Sequence, residues 1–400
     1  MPRRLPPGAA PIRPSNLLHA LRGLWHSIDY VARFERELLS YFGVRHCFLL
    51  SSGRAALSIL LDVLRDIYPD RDEVIIPAYT CYSVPAAVVR SGCRPSLCDI
   101  SPTTLDFDYG LLKSRISDRV LAVIPCNLFG IPSDITRLKK TIDNTPPFII
   151  DDAAQAMGIS SQGRFLGTRG DAGIFSLDRG KNFTTVQGGI ILTDNDIIAD
   201  KIESRIAALP SYSLIQQLVL WLKACVISFF LKPARYWMLA NIPFLGLGKT
   251  IYSTKFARRR LSGVQAGLAF GWQKDMERYN KIRKDNALYY HKKIRNSNTK
   301  TQAVTLGLNE DCTPHRFPYL LPDSAPPKNQ VVKECAALGI GPAYPGTIAD
   351  IKDLKLSKAD SEIHKAVSIA RRLITLPIHP YVNHKDMDNI IKRLQGLNAL

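Results

Sequence analysis

Acidic residues are scarce in this chain of 400 residues, which has 35 aspartates and glutamates against 53 lysines and arginines. The formal net charge of +18 indicates an acidic partner: nucleic acid, an anionic membrane surface or a phosphorylated substrate. Zinc-finger and helix-turn-helix signatures are absent from the sequence, which makes nucleic acid the weakest of the three. We therefore expect no nucleic-acid partner.

Cysteine pairs are also missing, although the chain has eight cysteines. They are scattered without a CxxC pair, and several lie inside apolar runs, as buried free thiols do. This pattern favours a reducing cytosol over a disulfide scaffold. The N-terminal stretch MPRRLPPGAAPIRPS lacks the apolar core of a signal peptide, so we expect a cytoplasmic protein. Its prolines predict a disordered or extended arm over residues 1–15.

Acids are absent altogether from residues 211–260, where apolar, aromatic and basic residues dominate. The stretch LIQQLVLWLKACVISFFL has one charged residue, Lys223, in eighteen, and a bilayer-spanning helix needs about 20 apolar residues. Three interpretations remain open. Residues 214–247 are a buried helical insertion at a dimer interface, an interfacial element that contacts an anionic membrane, or a transmembrane span.

The residues that are present indicate a large globular protein. A length of 400 residues with 46% hydrophobic side chains allows two or more domains and a large core. Over residues 45–195, short apolar runs alternate with helical patterns. This alternation predicts an α/β fold with a mostly parallel central sheet that helices cover on both faces.

The most informative stretch is residues 148–191, which begins FIIDDAAQAMG and ends DAGIFSLDRGKNFTTVQGGI. A short apolar run ends in Asp151 and Asp152, as a buried strand does when it delivers a carboxylate to a pocket at its C-terminal end. A second apolar run carries Ser176, and Lys181 follows shortly after it. This order predicts that a carboxylate, a hydroxyl and an amine meet in one place.

These three groups suit an aldehyde cofactor. Burial disfavours the ammonium form of a lysine, and Schiff-base chemistry requires the neutral amine. The carboxylate would keep a ring nitrogen protonated and make the ring an electron sink, while Ser176 would supply a hydroxyl to a phosphate. The alternative is that Lys181 lies on the surface and that the two aspartates form a solvated turn.

The segments DDAAQAMG and FSLDRGKNFTTVQGG resemble the fold-type I, pyridoxal-phosphate-dependent sugar aminotransferases of the DegT/DnrJ/EryC1/StrS family. The resemblance implies a large cofactor-binding domain over residues 16–260 and a smaller C-terminal α+β domain over residues 261–400. It implies that Lys181 forms the Schiff base and that Asp152 faces the pyridine nitrogen. Gln155 would lie against the ring hydroxyl, and Ser176 would bind the phosphate.

Other positions match the family less closely. A predicted strand is followed by Ser-Ser-Gly and then by a helix, and the N-terminus of such a helix suits a phosphate. The alternative is that the serine is an ordinary helix cap. The family has a Ser-Gly-Thr turn here, so Gly53 is carried over as a phosphate-binding residue and Arg54 replaces the threonine. In IIPAYTCYSVPAAV, Cys81 takes the place of the family's aromatic over the cofactor ring. The ring is then covered by Tyr79, by Tyr82 or by the thiol.

Two further positions depart from the family's pattern. Asn127 stands where the family usually has a histidine, and it can hydrogen-bond a substrate or the cofactor but cannot carry a proton. In FARRRLSGVQAGLAF, Arg258 stands where an asparagine reaches the partner subunit's cofactor phosphate. Arginine binds phosphate bidentately, so a role for Arg258 across a homodimer is open, beside the alternative of a solvated basic face.

The sequence therefore predicts a homodimeric pyridoxal-phosphate-dependent aminotransferase. By the resemblance, glutamate is the amino donor, and the acceptor is a keto sugar, either nucleotide-linked or a polysaccharide precursor; work at a membrane surface is a further hypothesis. Two alternatives remain, a dehydratase-like enzyme and a non-catalytic regulatory protein on the same fold. Lysine at position 181 favours amine transfer, because the family's dehydratase branch has histidine there. We expect no metal, since His315, His379 and His384 lack metal-ligand spacing.

Overall fold

The structure, a computed structural model, describes residues 3–142, 146–240, 251–296 and 312–400. Its central sheet has seven strands, which are buried apolar runs of four or five residues. Strands of this kind are typical of a sheet that is covered on both faces. In chain order they are β1 (His46–Leu50), β2 (Glu73–Pro77), β3 (Arg94–Cys98), β4 (Val120–Val123), β5 (Phe148–Asp152), β8 (Ala172–Ser176) and β9 (Gly189–Thr193); β6 (Ser160–Ser161) and β7 (Arg164–Phe165) form a separate two-stranded hairpin.

The spatial order of the sheet is β1-β9-β8-β5-β4-β2-β3. The pairs from β8 through to β3 are parallel, and β9 runs antiparallel to both of its neighbours, β8 and β1. Six strands therefore point the same way, and their carboxyl ends lie along one edge of the sheet. The predicted α/β fold with a mostly parallel sheet is confirmed.

Helices cover both faces of the sheet. Val74 and Ile76 pack into one apolar cluster and Ile75, between them, into another on the opposite face, as alternation along a strand requires. The helices up to residue 268 are α1 (Pro14–Arg22), α2 (Ser27–Phe42), α3 (Gly53–Ile67), α4 (Ser83–Arg90), α5 (Tyr109–Arg115), α6 (Ile135–Thr141), α7 (Asp196–Ala207), α8 (Leu214–Phe230), α9 (Pro233–Ala240) and α10 (Gly263–Leu268).

The C-terminal part has an apolar core of its own around a two-stranded antiparallel sheet. Its elements are α11 (Trp272–Asn296), β10 (Phe317–Leu320), α12 (Lys328–Glu334), α13 (His364–Arg372), β11 (Leu373–Leu376) and α14 (His384–Gly396). This mixture has the α+β character expected for residues 261–400. The predicted division into domains at residue 260 stays a prediction.

The N-terminal arm has no regular secondary structure from residue 3 to residue 13, and part of it is buried. Leu5 is buried in the C-terminal core, and the carbonyl of Pro6 contacts Nε2 of His379 at 2.8 Å. Ala9 and Ala10 are buried as well. Apolar side chains of the described part thus have partners in both halves of the chain. The prediction of a disordered or extended arm over residues 1–15 stays a prediction.

Helix α8 is half embedded and half exposed. Ser213 and Gln216 form a capping box at its start. Its inner side chains Leu220 and Ala224 pack against α1 and α10. The outer face exposes Leu214, Ile215, Leu218, Val219, Leu222, Val226 and Phe229. Within the residues described, no helix has the length and apolar character needed to cross a bilayer.

Candidate active site

The first component of the site is the turn between β1 and α3. The side chain of Ser52 caps α3 by accepting a hydrogen bond from the backbone N–H of Ala55 at 3.2 Å. A Cβ atom on Gly53 would lie 3.0 Å from the Cβ of Ser176, so the absence of a side chain at Gly53 lets the helix start approach the end of β8 closely without crowding. Gly53, Ser176 and the free N–H groups of a fifteen-residue helix therefore form one cradle, which suits a phosphate.

The second component is the carboxylate of Asp152 at the end of β5. It is buried, accepts a hydrogen bond from the N–H of Ala154 at 2.9 Å and receives the Sγ–H of Cys126 at 3.6 Å. Burial raises the pKa of Asp152 above its ordinary value, while the Ala154 hydrogen bond and the charge of Lys181 offset part of that rise. A positively charged group of a ligand would therefore stabilise the ionised form of this buried carboxyl.

The neighbouring carboxylate, Asp151, points away from the site and has a structural role. It is fully buried and forms an ion pair with Arg169 at 3.2 Å. It also accepts hydrogen bonds from the side chain of Asn127 at 2.7 Å and from the N–H of Gly167 at 2.8 Å. Two adjacent aspartates thus serve different purposes, because successive side chains of a strand face opposite ways.

Replacing Asp151 by asparagine is expected to lower the free energy of unfolding by about 3–5 kcal/mol, because it leaves the Arg169 guanidinium buried without its counter-charge. Urea denaturation followed by circular dichroism measures the change. Asp285→Asn is the matched control, since Asp285 pairs with Lys281 on the surface of α11. The control should cost no more than about 0.5 kcal/mol. Equal losses in the two variants would contradict the assignment of Asp151.

Asn127, like Asp151, has a structural role in the interior of the protein. Its amide nitrogen donates to the Asp151 carboxylate and to the carbonyl of Asp152, and its oxygen accepts from Arg169 at 2.8 Å and from the N–H of Ser133 at 3.1 Å. Every polar atom of the side chain is therefore already engaged. Asn127 therefore has no polar atom left with which to bind a ligand.

Lys181 lies in the loop between β8 and β9. Its side chain is partly exposed and interacts electrostatically with Asp152. Arg283 fixes the loop backbone, because its guanidinium donates to the carbonyls of Lys181 at 3.3 Å and of Asn182 at 3.0 Å. The amine and the carboxylate that the sequence predicted to meet are thus brought to the same edge of the sheet.

The loop then turns back through Val186, which has a backbone φ of +72°. This left-handed conformation is an outlier for a β-branched residue and costs about 1–3 kcal/mol. The Oγ1 of Thr184 accepts a hydrogen bond from the N–H of Val186 at 3.0 Å, and the valine belongs to the same apolar cluster as Leu220 and Ala224 of α8. Packing in this cluster holds the strained turn in place.

Gln155 is placed by two partners that lie far away in sequence. Its Oε1 accepts from the N–H of Phe129 at 3.2 Å, and its Nε2 donates to the hydroxyl of Tyr344 at 2.5 Å. Tyr344 is buried, which raises its pKa well above the ordinary value and keeps it a neutral phenol. The sequence predicted Gln155 for the site but missed Tyr344, because that residue reaches the pocket from the C-terminal part.

Three residues that follow β2 were predicted as candidates to cover the cofactor ring, and they occupy different positions. Tyr79 is fully buried and packs edge-on against Tyr344, with ring centroids 5.4 Å apart. The Tyr82 hydroxyl donates to the carbonyl of Thr347 at 3.2 Å. Cys81 is partly exposed and interacts electrostatically with Cys126, the residue that touches Asp152. The Sγ of Cys81 also lies 2.7 Å from the hydroxyl of Ser83. Which of the three residues covers the cofactor ring stays a prediction.

The two predicted arginines are not brought into the pocket within this chain. Arg54 places its guanidinium over the ring of Phe256, 5.2 Å from the ring centroid. Arg258 forms an ion pair with Asp62 of α3 at 2.6 Å and donates to the carbonyl of Arg90 at 3.1 Å. Both side chains therefore have intrachain contacts, and their assignment to a phosphate stays a prediction.

The sequence model of the DegT/DnrJ/EryC1/StrS aminotransferase family matches residues 15–395. The chain belongs to this family. The GDP-perosamine synthase of Vibrio cholerae is 31% identical over 172 residues, which make up 43% of this chain and 46% of that protein. The chain thus spans about half the length of this curated relative.

Solved structures with similar folds extend over nearly the whole chain. PseC of Helicobacter pylori, an aminotransferase involved in pseudaminic acid biosynthesis, superposes with a TM-score of 0.74 at 17% identity and covers 100% of both chains. The E. coli GDP-4-keto-6-deoxy-D-mannose-3-dehydratase with bound hydrated PLP gives 0.75 at 18% identity and covers 99% of this chain and 100% of its own. These likenesses confirm the fold-type I architecture of the family.

Proposed function

We propose that this chain is a pyridoxal-phosphate-dependent aminotransferase that transfers an amino group from glutamate to a keto sugar, which is nucleotide-linked or a polysaccharide precursor. One observation carries the proposal. Lys181, Asp152 and the Gly53–Ser176 cradle lie together at the carboxyl edge of a parallel sheet, where α/β proteins bind their ligands. Relatives in the family include a GDP-perosamine synthase and an L-glutamine:2-deoxy-scyllo-inosose aminotransferase, whose names describe amino-sugar chemistry.

The described residues fit pyridoxal phosphate. At the cradle, Gly53 has no Cβ that would crowd Ser176, and the start of α3 offers N–H donors for a phosphate. The buried carboxyl of Asp152, with its raised pKa, is suited to a protonated ring nitrogen. Gln155 and Tyr344 form a polar pair beside it. When bound, the cofactor supplies an aldehyde for Schiff-base formation and a ring that accepts electrons from the substrate.

The residues of this chain then have separate tasks. With the cofactor bound, Lys181 Nζ would move the proton that is taken from the α-carbon of the amino donor. Asp152 would hold a proton at the ring nitrogen through its charge, and its own position is fixed by Ala154 and Cys126. Arg283 anchors the Lys181 loop, so that the amine stays at a fixed distance from the sheet edge.

The absorbance spectrum of the purified protein tests this proposal. We expect a Schiff-base band that disappears when glutamate is added, as the cofactor takes up the amino group. A band that ignores glutamate would indicate a different donor or a dehydratase-like reaction, which the resemblance to the E. coli dehydratase keeps as a second candidate. Only transfer consumes the donor stoichiometrically, so product analysis separates the two. A protein that forms no band with added pyridoxal phosphate would support a non-catalytic role.

We further propose that the enzyme is a homodimer that contacts an anionic membrane through the outer face of α8. Seven large apolar side chains are exposed on this helix, and Lys223 and Lys232 are exposed beside them. No acidic residue occurs between residues 211 and 260. A second copy of the same basic face would meet it with like charge, whereas anionic lipid headgroups would neutralise it.

Replacing Ile215 and Leu222 together by glutamate is expected to reduce binding to vesicles of phosphatidylglycerol and phosphatidylcholine roughly a hundredfold, since the change removes about 3 kcal/mol of apolar transfer free energy. Flotation measures the bound fraction. Ile197→Glu is the control, because Ile197 is comparably exposed on α7. A wild-type protein that does not float, and whose dimer dissociates in the double variant, would assign the face to the subunit interface instead.

A further inference from the structure

A cavity of about 300 Å³ lies between the start of α6 and the hairpin of β6 and β7. Residues 132–136 and 139 line one side of it, and residues 161, 162, 164 and 169 line the other. The described residues that border this hairpin cavity include neither Asp152 nor Lys181. Proteins bind small molecules in cavities of about 300–1,000 Å³, so the hairpin cavity has room for more than a single ion.

The hairpin cavity and the cofactor pocket lie on different sides of β5. Arg169 borders the cavity, and its largely buried guanidinium pairs with Asp151 at 3.2 Å and donates to the carbonyl of Ser133 at 3.1 Å. Asp151 and Asp152 are successive residues of β5, so their side chains leave the strand on opposite faces. The cavity is therefore on the Asp151 face and the cofactor pocket on the Asp152 face.

The rim of the hairpin cavity has unpaired positive charge. Lys139 of α6 and Arg164 of β7 are exposed at its edge. Over the ranges that the structure describes, neither is paired with a carboxylate, and Arg164 donates to the carbonyl of Thr168 at 2.6 Å. Asp134, the one acid among the described lining residues, caps α6 by accepting from the N–H of Arg137 at 2.9 Å. Two cations on different elements thus border one cavity.

The hairpin is held in a fixed position, which also fixes one of these cations. Gln162 and Gly163 have φ values of +53° and +75°, as the two-residue turn that suits a tight hairpin requires. The turn joins the paired residues Ser161 and Arg164. The ring of Phe165 then packs against the rings of α2 at centroid distances of 4.9 and 5.2 Å. The cavity wall is therefore preorganised, which lowers the cost of binding a ligand.

We propose that the hairpin cavity is a second binding site, and that its ligand is a sugar phosphate. A phosphate monoester has a charge of about −1.5 to −2 at neutral pH, which Lys139 and Arg164 together would neutralise. The hydroxyl and amide groups of Thr136, Ser161 and Gln162 match the hydroxyls of a sugar ring. A nucleobase would need an aromatic or broadly apolar wall, and no aromatic side chain occurs among the described lining residues.

The first test measures binding at the rim. Glucose 6-phosphate is titrated by calorimetry into the wild type and into Lys139→Gln/Arg164→Gln, and we expect the double variant to bind at least about tenfold more weakly. Both side chains are exposed, so the fold should not change. Lys140→Gln/Arg371→Gln, which removes two exposed cations outside the cavity, is the matched control and should keep the wild-type affinity.

Three results of this titration would overturn the proposal. The first is a wild type that binds no glucose 6-phosphate, and the second is equal affinity in the wild type and in Lys139→Gln/Arg164→Gln. The third is inorganic phosphate that binds the wild type as tightly as glucose 6-phosphate does, because the cavity would then recognise the anion without the sugar.

The second test asks whether the two sites are separate. Glucose 6-phosphate is titrated into the cofactor-free protein and into the protein saturated with pyridoxal phosphate, and we expect the same affinity in both. A loss of binding on saturation would place the sugar phosphate in the Gly53–Ser176 cradle and overturn the proposal. If the protein binds no pyridoxal phosphate at all, the proposed aminotransferase function fails, and the titration of Lys139→Gln/Arg164→Gln still decides whether the hairpin cavity is a site.

Discussion

Replacing Lys181 by alanine is expected to abolish the Schiff-base absorbance of the cofactor-loaded protein and to reduce turnover by about 10⁴-fold. The side chain is partly exposed, so its loss leaves no cavity in the core. The loop itself is held through backbone carbonyls by Arg283, which the substitution does not touch. The fold should therefore survive, and the effect should be confined to chemistry.

Absorbance spectroscopy and a thermal melt on the same preparation check this result. Arg179→Ala is the control, because it removes a long cationic side chain from the same loop and should change neither the spectrum nor the rate by more than about twofold. An unchanged spectrum in Lys181→Ala would remove Lys181 from its assigned role. A variant that melts well below the wild type would mean that the side chain has a structural task instead.

Replacing Asp152 by asparagine is expected to leave the cofactor bound but to lower turnover by about a hundredfold or more, because a neutral amide no longer holds the ring nitrogen protonated. Asparagine has nearly the same shape, and its oxygen can still accept the hydrogen bond from Ala154. Stopped-flow absorbance with glutamate measures the loss. Asp178→Asn, an exposed carboxylate close to Lys181 in sequence, serves as the control. A variant with activity within tenfold of the wild type would contradict the assignment.

The same substitution should stabilise the cofactor-free protein at neutral pH. Burial raises the pKa of Asp152 above its ordinary value, so the folded state holds this proton more tightly than the unfolded state. The stability that the proton provides is fully present below pH 4 and is lost as pH rises through the folded pKa. Thermal melts of cofactor-free wild type and Asp152→Asn should therefore agree near pH 4 and separate above it, with the variant melting higher. A wild type that melts higher at pH 7 would contradict this.

Much of the site follows from the sequence, and the reason is the geometry of the sheet. Asp152 and Ser176 are the last residues of their strands, and Gly53 follows three residues after the end of β1. Because six of the strands are parallel, these ends lie along one edge, and a local motif is enough to predict which side chains meet. The separation of Asp151 from Asp152 is likewise fixed by alternation along β5.

The remainder depends on packing between distant parts of the chain. Tyr344 comes from the C-terminal part, and no local pattern marks where its side chain points. Arg258 was predicted by its place in a motif, yet within the chain it pairs with Asp62, nearly 200 residues away. Composition predicted that α8 is apolar and basic, but only the fold shows which of its faces is buried.

The strained turn at Val186 has a consequence for the loop that carries Lys181. A valine with a φ of +72° persists only where its surroundings over-determine it, and here it lies in one apolar cluster with Leu220 and Ala224 of α8 and with Val264 and Leu268 of α10. Glycine at position 186 would adopt the same φ without strain. The conformation of the loop is therefore coupled to the packing around α8, and a substitution that loosens this cluster would also release the turn.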